Sequence, residues 1–253
     1  MTSSSKSAAF FDLDKTLMAG SSGMEFARVA RNRGLISRRQ LVRWGIDHFR
    51  YRLEGATDEQ TAEVLKVARE TVAGVPVRQI ARMWPEVLAG ILPRIYPEML
   101  AEVHRHQDEG RQAWIISAAG NEMVETLAGI LGMDGGIGTR YHLGPDDTYS
   151  GEIDGPFIYG QGKVEAINAL ADRLDLDLSQ SWAYSDSASD LPMLEAVGHA
   201  VVVNPDSRLN RVAREHGWEV MRFERLGRNL AVVGTVAAAA LLGGVGSYVS
   251  SRR

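Results

Sequence analysis

The stretch AAFFDLDKTL, residues 8–17, decides the fold of this chain. Four apolar residues run directly into two carboxylates, Asp12 and Asp14, which are separated by one leucine. A continuous apolar run of this kind is typical of a strand buried on both faces of a parallel sheet. Burying an unpaired carboxylate is costly, and two close carboxylates repel each other. We therefore expect a cation at the end of this strand.

Apolar strands and helices alternate along the rest of the sequence. The predicted strands are 8–13, 112–117, 181–186 and 199–204, with a short strand and hairpin region from 135 to 155. The predicted helices are 97–110, 120–131 and 162–174, with a short one at 191–198. This alternation indicates the α/β class, with a doubly wound parallel sheet. Residues 24–93 have a helical pattern throughout, which predicts an all-helical insert after the first strand.

Composition narrows the class of protein. With 253 residues, 45% hydrophobic and 24% charged, the chain is long enough for one large domain with an insert. A net charge of −4 argues against a nucleic-acid partner. The absence of cysteine excludes disulfides, thiolate catalysis and cysteine-ligated metals. The segment MTSSSKSAAFF lacks the apolar core of a secretory signal, so we predict a cytoplasmic protein.

Polar residues collect where the predicted strands end, which is where parallel sheets bind ligands. They are Asp12, Asp14, Ser117, Asp186 and Asp190, together with Lys163 at the start of a helix. Three carboxylates on one rim suit a hard divalent cation, most naturally Mg²⁺. A cation, a lysine and a serine hydroxyl together suit a phosphate group. One aspartate can then attack phosphorus while a second, two residues along the strand, transfers protons.

Each of these residues also has a simpler structural interpretation. Aspartates, such as Asp12 and Asp14, are common in turns, and lysines, such as Lys163, usually lie at the surface. Serine and aspartate are common helix N-caps, so Ser117 and Asp190 could each cap a helix. The sequence pattern by itself leaves these alternatives open.

Taken in order, the motifs resemble those of the haloacid dehalogenase (HAD) superfamily of phosphohydrolases. The matching segments are DLDKT (12–16), IISAA (115–119), GQGK (160–163) and YSDSASDLPML (184–194). The helical insert is similar to a C1 cap, and the subgroup most resembled is subfamily IB, the phosphoserine-phosphatase-like one. The resemblance implies a HAD-like, Rossmannoid catalytic core of residues 1–20 and 95–222, with a helical cap at 21–94.

The resemblance implies a reaction and a metal site. Asp12 would be the nucleophile that forms an aspartyl-phosphate, and Asp14 the general acid and base. Mg²⁺ would be held by the Asp12 carboxylate, the backbone carbonyl of Asp14 and Asp186.

The resemblance also implies a set of residues around the phosphoryl group. Ser117, Ala118 and Lys163 would bind that group. Asp190 would support the metal and the lysine from behind, and Thr16 would fix the loop after the first strand.

Two positions depart from the pattern of phosphoserine phosphatases. An acidic residue that grips the substrate ammonium usually stands seven positions after the second aspartate, where this chain has Ser21. An asparagine is usual where this chain has Ser189. Phosphoserine is therefore expected to be a poor substrate, unless the nearby Glu25 supplies the missing carboxylate.

Two classes of function remain open at this point. The first is a Mg²⁺-dependent phosphomonoester hydrolase, acting on a small phosphorylated substrate or on a phospholipid-type head group. The second is a non-catalytic regulatory protein on the same fold. Because all four motifs are filled, the sequence favours the enzyme.

The C-terminal part, residues 223–253, is predicted to be a basic linker followed by a hydrophobic helix. Residues 229–251 are 23 residues without a charge, which is long enough to cross a bilayer. The basic residues before this segment favour a catalytic domain held at the inner face of the membrane, and the arginine-rich stretch 28–52 would add attraction to anionic lipid. The alternative is a terminal helix packed on protein, in an oligomer.

Overall fold

The computed structural model describes residues 6–36 and 58–223. Within these ranges the strands are β1 (Ala8–Phe11), β2 (Gln112–Gly120), β3 (Gly135–Thr139), β4 (Tyr141–Leu143), β5 (Tyr149–Ile153), β6 (Trp182–Ser185), β7 (His199–Val203) and β8 (Glu219–Met221). Six of them form one sheet in the order β3-β2-β1-β6-β7-β8, and β4 pairs with β5 in a separate antiparallel hairpin.

The α-helices lie between these strands. They are α1 (Ser22–Asn32), α2 (Asp58–Val72), α3 (Val77–Ala81), α4 (Trp84–Ile91), α5 (Pro97–Asp108), α6 (Asn121–Ile130), α7 (Gln161–Leu174), α8 (Leu191–Glu195) and α9 (Ser207–His216). Single turns of 3₁₀ helix occur at Leu92–Arg94, Leu178–Gln180 and Ala188–Asp190.

The sheet has a topological switch point next to its first strand. From β1 the chain moves outward in one direction to β2 and β3, and later in the other direction to β6 and β7. The pairs β1–β2, β2–β3, β1–β6 and β6–β7 are all parallel. A switch point opens a crevice outside the carboxyl ends of the strands, where open α/β sheets bind ligands. The predicted doubly wound sheet is therefore confirmed, and β1 and β6 border its crevice.

Alternate side chains of β1 and β6 point to opposite faces of the sheet. On one face Phe10 belongs to a buried cluster with Ile167 and Leu170 of α7. On the other face the rings of Phe11 and Tyr184 stack with their centroids 4.5 Å apart. Both faces of the central strands are therefore apolar, which explains the continuous apolar run at residues 8–11.

Most predicted elements agree with the structure to within a few residues. The strand predicted at 112–117 continues to Gly120 as β2, so Ser117 lies inside a strand. The region 135–155 contains the predicted short strand, β3, and the predicted hairpin of β4 and β5. The helix α9 and the strand β8, which is only three residues long, were not predicted from the sequence.

The described parts of the insert, 24–36 and 58–93, contain helices and no strand, as predicted. Two short segments of the chain flank the insert and pair with each other: Met18 bridges Ile95, and the backbone N–H of Ala19 donates to the Arg94 carbonyl at 2.8 Å. Most of the arginine-rich stretch at 28–52 lies outside the described residues.

The described part of the chain ends at Phe223. The predicted hydrophobic helix at 229–251 therefore lies outside the described residues, and its membrane role stays a prediction. Within 6–36 and 58–223, no helix combines the length and the apolar character needed to cross a membrane.

Candidate active site

Three charged side chains meet at the carboxyl ends of β1 and β6. The Lys163 Nζ atom donates to Asp12 Oδ1 at 2.6 Å and to Asp190 Oδ2 at 2.7 Å. Lys163 and Asp190 are each 2% exposed and Asp12 is 8% exposed. Asp12 and Lys163 are 151 residues apart in the sequence. The fold therefore brings three of the predicted site residues into direct contact.

The segment GQGK delivers the lysine to this site. Gly160 has φ +52°, a conformation that favours glycine, and the helix α7 begins directly after it. A Cβ atom on Gly162 would overlap the carbonyl oxygen of Phe157, so the chain passes there only because residue 162 has no side chain. Both glycines thus set the entry of α7, and Lys163 lies in its first turn.

Charge and burial shift the pKa values of Lys163 and Asp12 in opposite directions. Burial by itself would lower the pKa of Lys163, but the carboxylates of Asp12 and Asp190 outweigh it and raise that pKa above its usual value. Burial raises the pKa of Asp12 to about 7, and the neighbouring Lys163 opposes this rise. The lysine is therefore a permanent cation at neutral pH, and it stabilises the charged form of the carboxylate beside it.

A second group of bonds fixes the strand end of β6. Ser185 Oγ donates to Asp190 Oδ2 at 2.7 Å and accepts from the backbone N–H of Ser187 at 3.1 Å. The backbone N–H of Asp186 donates to Thr16 Oγ1 at 3.0 Å. Thr16 thereby ties the loop after β1 to the loop after β6. Ser185 was not among the predicted site residues, although it stands directly before Asp186 in the motif YSDSASDLPML.

The carboxylates of Asp12 and Asp186 form the anionic part of the site. Burial and the nearby Asp12 raise the pKa of Asp186 to about 8, with Lys15 opposing the shift. Within residues 6–36 and 58–223, no three His, Cys, Asp or Glu side chains are arranged to hold a metal ion by themselves. Mg²⁺ usually needs only one or two carboxylates, because waters and substrate phosphate supply its other ligands. The neighbouring carboxylates of Asp12 and Asp186 therefore fit Mg²⁺.

Ser117 and Ala118 lie in the last part of β2, beyond its pairing with β1. Ser117 is buried, and its Oγ accepts from the backbone N–H of Ala119 at 3.2 Å. The Ala118 carbonyl accepts from Thr139 Oγ1 of β3 at 3.0 Å. These bonds hold the segment at the carboxyl edge of the sheet, on the strand that neighbours β1.

Asp14 points to the beginning of α1 rather than into the lysine cluster. Its Oδ1 accepts from the backbone N–H of Ser22 and its Oδ2 from Ser21 Oγ, each at 2.8 Å. Lys15 has φ +60° and turns the chain between the two aspartates of the motif and the helix. The two carboxylates of the motif are therefore held by different partners.

Glu25 does not supply a free carboxylate near Ser21. It is 4% exposed, and its two oxygens accept from Arg28 Nε at 2.9 Å and from Arg94 Nη2 at 2.7 Å. Ser189, the other departure from the phosphoserine-phosphatase pattern, lies with its Oγ 2.8 Å from Ser187 Oγ.

The structure argues against the simpler interpretations of Lys163, Ser117 and Asp190. Lys163 is not a surface lysine. Ser117 is not a helix N-cap, because the N-cap of α6 is Gly120. Asp190 stands at the N-cap of α8 but makes no capping bond, since its carboxylate binds Lys163 and Ser185.

A family model described as haloacid dehalogenase-like hydrolase matches residues 9–195. The chain belongs to this family. Its α/β fold, predicted from the motifs, is the HAD-like fold, and the chain is an enzyme of the phosphatase type.

Two relatives of this chain are named as phosphatases. The chain is 36% identical over 257 residues to the phosphoserine phosphatase SerB1 of Mycobacterium tuberculosis, covering 97% of this chain and 80% of that protein. It is 30% identical over 223 residues to a histidinol-phosphatase of Neisseria meningitidis, covering 87% of this chain and 100% of that one. A further relative, the inhibition of morphological differentiation protein of Streptomyces azureus, is 36% identical over 98% of this chain and 95% of its own length.

Solved structures support the fold. A substrate-bound phosphoserine phosphatase superposes with a TM-score of 0.62 over 90% of this chain and 98% of that one. At 16% sequence identity this likeness concerns the fold alone.

Proposed function

We propose that this HAD phosphatase is a Mg²⁺-dependent phosphomonoester hydrolase that works through an aspartyl-phosphate on Asp12. The observation that carries the proposal is the contact of Asp12 with Lys163 at the switch point of the sheet. A buried cation beside a carboxylate is what an anionic phosphoryl group needs when it approaches a nucleophile. The motifs and the named phosphatase relatives support the same reaction.

The first half of the proposed reaction transfers the phosphoryl group to the enzyme. Lys163 holds Asp12 Oδ1, which leaves Oδ2 to attack phosphorus. As the new bond forms, the phosphorus–oxygen bond to the leaving group breaks. The proton of Asp14 passes to the departing oxygen, so that a neutral alcohol leaves.

The second half returns the enzyme to its starting state. Asp14, now a carboxylate, takes a proton from water, and the resulting hydroxide attacks the phosphorus of the aspartyl-phosphate. Inorganic phosphate leaves and the Asp12 carboxylate is regenerated. Ser117, the backbone of Ala118 and Lys163 would bind the phosphoryl oxygens throughout.

Mg²⁺ would be held by the carboxylates of Asp12 and Asp186 and by the backbone carbonyl of Asp14. When bound, it neutralises charge on the phosphoryl oxygens and orients them. Asp190 keeps Lys163 in place from behind. Activity should therefore vanish on chelation, return with Mg²⁺, and be inhibited by Ca²⁺, whose longer bonds and higher coordination number disturb the geometry.

The substrate proposed is a small phosphorylated metabolite with an alcohol leaving group. Relatives named for phosphoserine and histidinol phosphate support this class. Phosphoserine itself is expected to be a poor substrate, because Ser21 replaces the usual acidic residue and Glu25 is already paired with two arginines. A phospholipid-type phosphate remains the second candidate, and the uncharged segment 229–251 is the feature that favours it.

Asp12→Asn tests the proposal. An amide is too weak a nucleophile to form the acyl-phosphate, so turnover of every ester should disappear. The matched control is Asp154→Asn, an exposed carboxylate at the end of the β4–β5 hairpin, and it should keep wild-type rates. The panel should contain p-nitrophenyl phosphate, glycerol phosphate, phosphoserine, histidinol phosphate and detergent-dispersed phosphatidylglycerol phosphate. Near-native turnover by Asp12→Asn would refute the mechanism.

A further inference from the structure

The hydroxyl of Ser21 is hydrogen-bonded to the carboxylate of Asp14, which the proposed mechanism uses for proton transfer. Ser21 Oγ donates to Asp14 Oδ2 at 2.8 Å, and the next residue donates its backbone N–H to Asp14 Oδ1 at the same distance. Among residues 6–36 and 58–223, each carboxylate oxygen therefore has one side-chain or backbone donor, in these two bonds, and keeps a second lone pair for the proton that is exchanged. These two contacts fix the plane of the carboxyl group.

The loop between β1 and α1 is folded so that residue 21 returns to residue 14. Asp14 forms a β-bridge with Met18, and Met18 in turn bridges Ile95 on the segment that follows the insert. Gly20 has φ +87° and reverses the chain directly before Ser21. The contact between Ser21 and Asp14 is thus supported by the backbone pairing of Met18 within this loop.

Ser21 occupies the N-cap position of α1, but it does not act as a cap. An N-cap serine ordinarily accepts a hydrogen bond from a backbone N–H in the first turn of its helix. Here the side chain makes no such bond, and the backbone N–H of Ser22, the first residue of α1, donates to Asp14. The serine hydroxyl therefore acts as a donor to Asp14, in a place where helix capping alone would use it as an acceptor.

We propose that Ser21 is a positioning residue that aims the Asp14 carboxyl group at the leaving oxygen of the substrate. This inference rests on the proposed function and assigns a new role to the position that carries an acidic residue in phosphoserine phosphatases. A carboxylate in that place would repel Asp14, whereas a hydroxyl orients it. The consequence is a selective effect on esters whose leaving group needs protonation.

The experiment compares two leaving groups in one set of variants. p-Nitrophenol is acidic enough to leave as an anion, whereas the alcohol of glycerol phosphate must be protonated as it leaves. The quantity to measure is kcat/KM, because it covers only the steps up to departure of the leaving group and excludes hydrolysis of the aspartyl-phosphate. Ser21→Ala should lower kcat/KM about tenfold for glycerol phosphate, and less than about threefold for p-nitrophenyl phosphate.

A pair of variants with nearly the same shape separates the hydroxyl from packing. Ser21→Thr keeps the donor and should restore the wild-type ratio of the two kcat/KM values, whereas Ser21→Val should behave as Ser21→Ala does. Ser179→Ala is the control, since it also removes a serine hydroxyl bond, the one from Ser179 Oγ to Asp177 at 2.6 Å in the turn before β6. It should leave both rates unchanged.

The outcomes distinguish this inference from the proposed function. Equal losses for both esters in Ser21→Ala, or equal behaviour of Ser21→Thr and Ser21→Val, would overturn the positioning role while leaving the phosphatase intact. A wild-type enzyme that hydrolyses neither ester would overturn the proposed function and this inference with it. A selective loss for glycerol phosphate that threonine repairs would establish the inference.

Discussion

Asp12 and Asp14 are separated by one residue, but they belong to two differently built parts of the site. The strand cluster, Asp12, Lys163 and Asp190, is almost completely buried and held by charge. The helix cluster, Asp14 with Ser21 and Ser22 at the beginning of α1, is held by one hydroxyl and one backbone N–H. The first cluster joins two strands and a helix of the sheet layer, and the second joins a strand end to the insert.

The two clusters should differ in how much they contribute to the stability of the fold. A buried ion pair loses several kcal/mol when one partner is removed, because the other charge is left without compensation. A hydrogen bond from a neutral donor to the half-buried Asp14 carboxylate contributes less, about 1.5–3 kcal/mol. Substitutions in the strand cluster should therefore affect both folding and reaction, whereas substitutions in the helix cluster should affect the reaction almost alone.

The largest expected effect is that of Lys163→Met. It removes the cation between Asp12 and Asp190, so we expect a loss of about 3–5 kcal/mol in the free energy of unfolding, together with loss of turnover. Chemical denaturation and phosphatase assays measure the two effects. The exposed Lys66→Met on α2 is the control and should change neither. If Lys163→Met unfolds at the wild-type denaturant concentration, the strand cluster does not stabilise the fold.

Asp14→Asn should separate reaction from stability. Loss of proton transfer lowers the rate by about 10²–10⁴-fold, while the thermal midpoint should stay within a few degrees, because asparagine keeps an oxygen acceptor for the backbone N–H of Ser22 and breaks no buried ion pair. Activity assays with glycerol phosphate and thermal melts measure the two quantities, and Asp154→Asn again serves as the control. A destabilisation as large as that of Lys163→Met would remove the distinction between the two clusters.

A neutral histidine behind the strand cluster should make the fold sensitive to acid. His106 is completely buried, its Nδ1 accepts from Arg111 Nε at 2.7 Å, and its Nε2 lies 2.8 Å from the hydroxyl oxygen of Tyr184. Burial, followed by the nearby Arg105 and Arg111, lowers its pKa to about 4. The Tyr184 carbonyl accepts from the backbone N–H of Asp12, so this histidine supports the strand that carries the proposed nucleophile.

The sign of the pH effect follows from this lowered pKa. Between about pH 6.5 and pH 4 the unfolded chain binds a proton at His106 that the folded chain does not, so stability falls as the pH falls. We expect a loss of about 2–3 kcal/mol across this window. Denaturation at several pH values should show a smaller loss for His106→Gln, and an unchanged loss for His104→Gln, an exposed residue of the same helix. Equal pH profiles for wild type and His106→Gln would contradict this assignment.

The smallest expected effect concerns Glu25, whose carboxylate joins α1 to the segment after the insert. Its partners Arg28 and Arg94 have side chains that are 48% and 46% exposed, so solvent weakens both ion pairs. Glu25→Gln should therefore lower stability by only about 1 kcal/mol and leave turnover of p-nitrophenyl phosphate unchanged. Thermal melts against the exposed Glu98→Gln measure this effect. A large loss of turnover would place Glu25 in the reaction.

Much of the fold was predictable because its information is local. Short stretches of sequence predict the local structure in three places: the apolar run before Asp12, the strand that leads to Asp186 and the glycines around Lys163. The two missed elements had no such pattern. The strand β8 is a three-residue edge strand that includes Glu219, and α9 has a strongly charged sequence in which few side chains are buried.

The sequence by itself determined the α/β class, the family and the set of residues at the strand ends, because motifs and apolar runs are properties of neighbouring residues. Only the tertiary structure decided which of these residues touch. Lys163 contacts Asp12 across 151 residues, Glu25 is neutralised by Arg94, and Asp14 turns away to Ser21. Such pairings depend on how strands and helices are arranged in space, and side-chain hydrogen bonds are decided by distances of a few ångströms that no spacing along the chain records.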